Sequence, residues 1–318
     1  MKKLLLASVV ALLPAAGFAA ENALSYAYPV APQGLPQPDP NQKHQAKGTP
    51  TGMQLTFREI NNQFGPPDWF PNEHPTMPSV VKNGRPSHVR ACMLCHLPHG
   101  NGHPESASVG GLPADYIVDQ MHAFRDGTRT NNRVAAMVEM AKDITEAELK
   151  EAADYFTSIP RDKQRWIKVI ETANAPENEV GPGGARFLVE GSTKTMPVGP
   201  TQIYEVAEDG EGVELRDQHA GFLAFVPVGS IAKGKELATT GGNGKSVQCS
   251  ICHGSDYRGI GNVPRIAGRA PYYMIRQLAD MRSGARHGKS MQLMVQVVAN
   301  LTDEDIVNLT AYLASLDP

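Results

Sequence analysis

Two segments of this chain repeat each other at a constant separation of 157 residues, and each carries a Cys-x-x-Cys-His motif, Cys92-Met-Leu-Cys95-His96 and Cys249-Ser-Ile-Cys252-His253. The register holds without a gap on both sides of the motif. Gly84 falls on Gly241, Gly102 on Gly259, Gly111 on Gly268, Tyr116 on Tyr273, Gln120 on Gln277, Gly127 on Gly284, Thr145 on Thr302 and Tyr155 on Tyr312. A chain built this way uses one folding unit twice. The spacing predicts units over residues 72–160 and 229–318, joined by a spacer of 161–228 and preceded by residues 20–71.

The motifs consume all four cysteines. The N terminus, with Lys2 and Lys3, an apolar run from Leu4 to Leu13 and a small-residue stretch ending at Ala19-Ala20, reads as a secretory signal peptide over residues 1–19. An even cysteine count in an exported chain ordinarily means disulfides. The spacing argues for different chemistry. Two thiols separated by two residues can reach the two vinyl groups of one porphyrin, while the next residue turns its imidazole onto the iron, so each CxxCH is the attachment signature of a c-type haem. A zinc site would close one tetrahedron from thiolates and imidazoles. Export, a histidine directly after each pair and the long gap between pairs all disfavour it, and disulfides inside each CxxC fare no better. Two covalently bound haem c groups are therefore expected.

The repeat also nominates the second axial ligand of each iron. Beyond the motifs only Met137 and Met294 align, each 41 residues after its histidine. A thioether is a soft ligand that holds low-spin haem iron and raises its potential. The expected metal ligands are thus His96 with Met137 and His253 with Met294. Met140 and Met291 do not align and read as apolar packing. His88, His99 and His103 crowd the first motif as rival ligands, although histidines in Gly/Pro-rich loops are usually solvated.

Local patterns are shared by both copies. Ile117, Met121 and Phe124, matched by Met274, Leu278 and Met281, place an apolar stripe on a helix that stops at Gly127 or Gly284. After a methionine-bearing loop, Thr145-x-x-Glu148 and Thr302-x-x-Asp305 open a last helix with a capping box. Arg125, Arg129, Arg282 and Arg286 recur in register and are candidate partners for haem propionates, because a guanidinium fork suits a carboxylate.

With 30 Lys+Arg against 33 Asp+Glu, and no basic block, the chain has no electrostatic footprint for nucleic acid. No segment after the signal peptide is long and apolar enough for a membrane anchor. Residues 20–52, rich in Pro, Gln, Asn and Gly, read as an extended tail. In the spacer, Trp166-Ile167 reads as a helix continuation. Residues 185–190, 201–207, 213–216 and 221–226 read as strands, with Asp209-Gly210 as a hairpin turn, which makes a small β-rich module.

These residues resemble the di-haem class I cytochromes c of the cytochrome c4 type. The resemblance rests on CxxCH followed by Pro264, Ala267-Gly268, Tyr273, Gln277, Arg282-x-Gly-x-Arg286, Met294 and Leu301-Thr-Asp-Glu-Asp-Ile306. The second copy matches along most of its length and the first more loosely. The resemblance implies a mainly α protein, two class I cytochrome c haem domains in tandem, here separated by the β-rich module. It implies His/Met iron in each domain and single electrons carried between periplasmic or membrane-bound redox partners. In the family a proline carbonyl accepts from Nδ1 of the ligating histidine. Pro264 fits, and Ala107 stands at the matching position of the first copy, where a backbone carbonyl can still serve.

Two other functions share the two motifs. A di-haem peroxidase-like enzyme needs one open iron and a nearby acid-base group, for which only His99, His103 or His122 could be recruited. A haem subunit of a periplasmic dehydrogenase complex would use the β module as a docking surface. A di-haem enzyme with a cysteine-ligated iron is excluded, since no cysteine is left over.

Overall fold

The chain, seen here in a computed structural model, is described over residues 23–35, 39–131, 133–160 and 166–318. The signal peptide read from the sequence lies outside the described residues. A one-turn helix, α1 (Phe57–Ile60), precedes the first repeat, which runs α2 (Ser79–Lys82), α3 (Met93–His96), α4 (Ala114–Arg125), α5 (Ala135–Asp143) and α6 (Glu146–Ser158). The spacer follows as β1 (Ile167–Glu171), β2 (Asn174–Pro176), β3 (Asn178–Val180), β4 (Arg186–Leu188), β5 (Thr195–Pro197), β6 (Tyr204–Ala207), α7 (Gly210–Glu214) and β7 (Phe222–Val226). The second repeat runs α8 (Ser230–Thr240), α9 (Ser250–His253), α10 (Pro271–Ser283), α11 (Gln292–Val298) and α12 (Asp303–Ser315).

The 157-residue offset carries α3 onto α9 and α6 onto α12 end to end, so the sequence repeat is a structural one. Both capping boxes form. Thr145 Oγ1 accepts from Glu148 N and Thr302 Oγ1 from Asp305 N, while each acid returns to its threonine N–H. Gly127 and Gly284, at φ +77° and +80°, turn the chain out of α4 and α10 in the left-handed region that favours glycine. Met121, Phe124, Met274 and Met281 are buried, which places the expected stripe on the core side.

The terminal helices of the second repeat cross closely at Gly234. A Cβ there would lie 1.9 Å from the Asn308 carbonyl oxygen and 2.8 Å from Tyr312 Cβ. Gly234→Ala must push α8 off α12 and is expected to cost roughly 1–3 kcal/mol, as overpacking in a tight core does. The urea midpoint of the variant measures it, and an unchanged midpoint would contradict so close a crossing.

The spacer contains a β-rich module, with differences in detail. β1 pairs in parallel with β7, and β6 pairs antiparallel to β7 on its other edge; β2 with β5 and β3 with β4 form two further antiparallel pairs. Ile167 begins a strand, not a helix continuation, because β7, far along the chain, supplies its hydrogen-bonding partner, and no local signal reveals a parallel pairing of that kind. Residues 213–216 are not a strand. Asp209 caps α7 by accepting from Gly212 N at 3.1 Å, so the Asp-Gly pair starts a helical turn where a hairpin was expected.

The N-terminal region is not an extended tail. Leu24, Ala27, Ala46, Ile60, Trp69 and Phe70 are buried. Tyr28 Oη donates to Asp280 at 2.7 Å, Arg276 donates to the Ala27 carbonyl at 2.7 Å, and Trp69 Nε1 donates to the Leu215 carbonyl at 2.7 Å. Its few apolar residues find partners on α10 and α7, which composition alone cannot disclose. No helix among the described residues is long and apolar enough to cross a membrane.

Candidate haem sites and the seam between the repeats

α3 and α9 place the cysteine pairs and their histidines alike. His96 Nδ1 lies 2.9 Å from the Ala107 carbonyl and His253 Nδ1 lies 2.8 Å from the Pro264 carbonyl. Each contact fixes the ring and the tautomer, with the proton on Nδ1 and the lone pair on Nε2. Burial pushes both imidazoles below the ordinary histidine range, so each is in the neutral form that a metal requires. Equivalent backbone bonds hold the loops, Gly102 N to His96 O at 2.9 Å and Gly259 N to His253 O at 2.8 Å.

In the first repeat Cys92, Cys95, His96 and Met137 line one cavity of about 1230 Å³. Apolar walls come from Met121, Phe124 and Phe156, the last ring meeting His96 edge-on at 6.1 Å. Met140, read from the sequence as packing, also lines this cavity. His103 is buried and not solvated as its loop suggested. Its Nδ1 lies 3.1 Å from Glu105, and its Nε2 has no partner beside the cavity that both residues line. His88 is exposed, and His122 sits on the outer surface against Glu146.

The four repeated arginines divide into two pairs. Arg125 spends its guanidinium on the Ala141 and Ile144 carbonyls and on Glu146, and Arg282 on the Leu301 carbonyl and Asp303. These two clamp the end of α4 or α10 to the start of α6 or α12, bracketing the segment that carries the methionine; that segment is a short helix, α5 with Met137 and α11 with Met294, and not the loop expected from the sequence. In the structure this pair serves the helix ends.

Arg129 and Arg286 instead cross between the repeats. Arg129 donates to Gln277 at 2.8 Å, and its partner in register, Arg286, donates to Gln120 at 2.7 Å; Arg129 also approaches Tyr273 and Arg286 approaches Tyr116, at 3.4 and 3.0 Å. The two arginines face each other in a backbone bridge, and Arg265 meets Ser108, its own counterpart in register, at 2.9 Å. Each side therefore gives what it receives, the signature of an isologous contact about a local two-fold axis. The seam was missed in the sequence, although a signal was present. Tyr116/273, Gln120/277 and Arg129/286 are polar residues repeated in register.

The seam fits a carboxylate-bearing cofactor. Arg129, Arg269, Arg276 and Arg286 are buried, and their hydrogen-bond acceptors are amide, hydroxyl and carbonyl oxygens. Buried cations without a counter-ion are costly. Arg269 and Arg286 each keep a buried Nε–H without a partner. Burial works to raise the Tyr273 pKa, yet the field of Arg129, Arg269 and Arg286 brings it down to about 7, a measure of the positive potential here. Propionates would supply the missing negative charge, as two thiols, a neutral imidazole and a thioether meet the other needs of haem c.

A family model described as cytochrome c matches residues 231–317, in the second repeat. The chain is 26% identical over 234 residues to a thiosulfate dehydrogenase electron acceptor of Thiomonas intermedia (strain K12), covering 72% of this chain and 80% of that one. It is 31% identical over 84 residues to cytochrome c4 of Azotobacter vinelandii, 24% of this chain and 40% of the relative. Over 75 residues it is 33% identical to cytochrome c-554(548) of Halomonas halodenitrificans (strain ATCC 12084 / NCIMB 8669), 23% of this chain and 90% of that protein.

Proposed function

The chain belongs to the cytochrome c family, and from that premise we propose that it is an exported di-haem electron carrier with two class I haem domains in tandem. His96 and Met137 hold one iron, His253 and Met294 the other, and Cys92, Cys95, Cys249 and Cys252 anchor the rings. Haem iron supplies reversible one-electron chemistry when bound. Everything else falls to the chain. The Ala107 and Pro264 carbonyls orient the imidazoles, Arg125 and Arg282 brace the helices that carry the methionines, and the apolar walls exclude water. Arg129 and Arg286 counter propionate charge at the seam between the two sites.

The observation that carries this reading is the sameness of the two sites, which share the histidine-to-carbonyl contact and a methionine-bearing helix bracketed by an arginine clamp. A carrier needs two closed irons; an enzyme needs one unlike the other. The electron-acceptor relative supports a periplasmic dehydrogenase as partner. Potentiometric titration tests the carrier: two reversible one-electron steps are expected, and an irreversible or two-electron step would contradict it.

One observation favours a second reading. The buried His103–Glu105 pair beside the first cavity has the make-up of an acid-base couple, as a peroxidase-like site requires. Turnover of peroxide that His103→Ala abolishes would move the proposal to that reading.

A further inference from the structure

The two repeats differ most at the edge where their cysteines attach the ring. In the second repeat Val247, Ile251, Ile260 and Leu293 are 48%, 67%, 59% and 72% exposed. All four belong to one rim. Ile251 lies between the anchoring cysteines and Leu293 precedes Met294. Ile260 packs over Gly254, where an added Cβ would stand 3.4 Å from its Cγ1, and Ser246 Oγ ties the strand entering the motif to the Val297 carbonyl of α11 at 3.0 Å.

At the matching positions of the first repeat stand Arg90, Leu94, His103 and Ala136, of which Leu94 and His103 are only 7% exposed. The chain itself covers that edge. Arg216, just past α7, donates to the Leu94 carbonyl and, at 2.7 Å, to Asn61 Oδ1. Trp69 Nε1 holds the neighbouring Leu215 carbonyl, and Phe57, Asn61, Val213 and Arg216 line the first cavity directly. An apolar cluster of Ala46, Ile60, Trp69, Phe70 and Leu215 backs this cap. The described residues thus display on one repeat what kind of surface closes such an edge, and leave the corresponding side chains of the other exposed.

Charge narrows the occupant of the bare edge. Lys245 is paired with Asp305 at 2.9 Å and Arg258 sits against Asp256 at 4.0 Å, while Lys289, four residues before Leu293, is exposed without an ion-pair partner among the described residues, so charge near the rim is sparse and mostly balanced internally. A strongly acidic or basic partner would find little counterpart there. Resting on the carrier reading, we propose that the second-repeat edge is the docking face of this chain. It is fitted to a redox protein whose own cofactor edge opens in an uncharged apolar rim, and the first site exchanges electrons with that partner through the second. Each encounter moves one electron, lost by one protein and gained by the other, with no bond made or broken. The N-terminal region and α7 act as a built-in cap that makes traffic sequential across the Arg129–Arg286 seam.

The test uses reduced holo-protein in stopped flow, oxidised either by a blue copper protein with an uncharged apolar face around its copper histidine or by ferricyanide. The double variant Ile251→Gln/Leu293→Gln, which removes the apolar rim without adding charge, is expected to slow oxidation by the copper protein at least tenfold and to leave oxidation by ferricyanide, which needs no apolar docking, within about twofold. Leu188→Glu, on the spacer, should change neither. The wild-type rate with the copper protein should vary little with salt, since few charges steer the encounter. An unchanged copper-protein rate in the double variant would overturn the proposal. So would sedimentation showing a wild-type dimer that the double variant dissociates, which makes a second copy the occupant. Failure of ferricyanide to oxidise both sites reversibly would instead sink the carrier reading beneath it.

Discussion

Met294→Ala should leave both haems attached and convert one of them. Cys249, Cys252 and His253 are untouched by the substitution, so covalent anchoring and the proximal bond to Pro264 persist. What goes is the thioether, and with it the sixth ligand. About half of the total haem is expected to become high-spin and to bind carbon monoxide, with a lower potential for that half, because thioether ligation favours the reduced iron. Met137→Ala should do the same to the other half, and the double variant to all of it. Met140→Ala is the discriminating control, since Met140 shares the cavity with Met137. If Met140→Ala opens an iron and Met137→Ala does not, the ligand assignment moves one helical turn along α5.

Glu205→Gln should stabilise the protein above neutral pH. Glu205 on β6 is buried, and its carboxylate accepts from Tyr272 N at the start of α10 at 2.8 Å, while its other oxygen has no partner. Burial raises its pKa from 4.5 to about 8; the Tyr272 N–H and the Arg276 charge oppose the shift and Glu105 adds to it. In the window between those values the unfolded chain has released this proton and the folded chain has kept it. Stability from this group is therefore whole below about pH 4.5, falls as pH rises, and is lost once pH passes about 8. Glutamine keeps the acceptor and never ionises. The variant should match the wild type in acid and exceed it by roughly 3–5 kcal/mol at pH 8 and above. Denaturant unfolding at several pH values measures this, and parallel profiles for the two proteins would contradict a protonated Glu205.

The repeat was legible because a fixed spacing without gaps leaves little freedom. The capping boxes at Thr145 and Thr302 were legible because they are closed within four residues of sequence. What sequence missed is long-range. β1 is a strand only because β7 lies beside it, and Leu24, Trp69 and Phe70 are core residues only because α10 and α7 receive them. Arg125 and Arg129 looked alike as repeated cations four residues apart. Their different roles depend on where the chain goes after α4: Arg125 closes the helix, whereas Arg129 lies past the Gly127 turn and faces the other repeat. Asp209-Gly210 shows a local ambiguity of another kind, since the same pair can turn a hairpin or cap a helix and the following residues decide.

The central claim is that this chain holds two closed, equivalent iron sites. Electron paramagnetic resonance and optical spectra of the purified holo-protein, oxidised and reduced, with carbon monoxide and with peroxide, test it most directly. Two low-spin haems with the methionine-sulfur-to-iron band, indifferent to both reagents, are expected. A high-spin signal from one haem, or one that binds carbon monoxide and turns over peroxide, would contradict it.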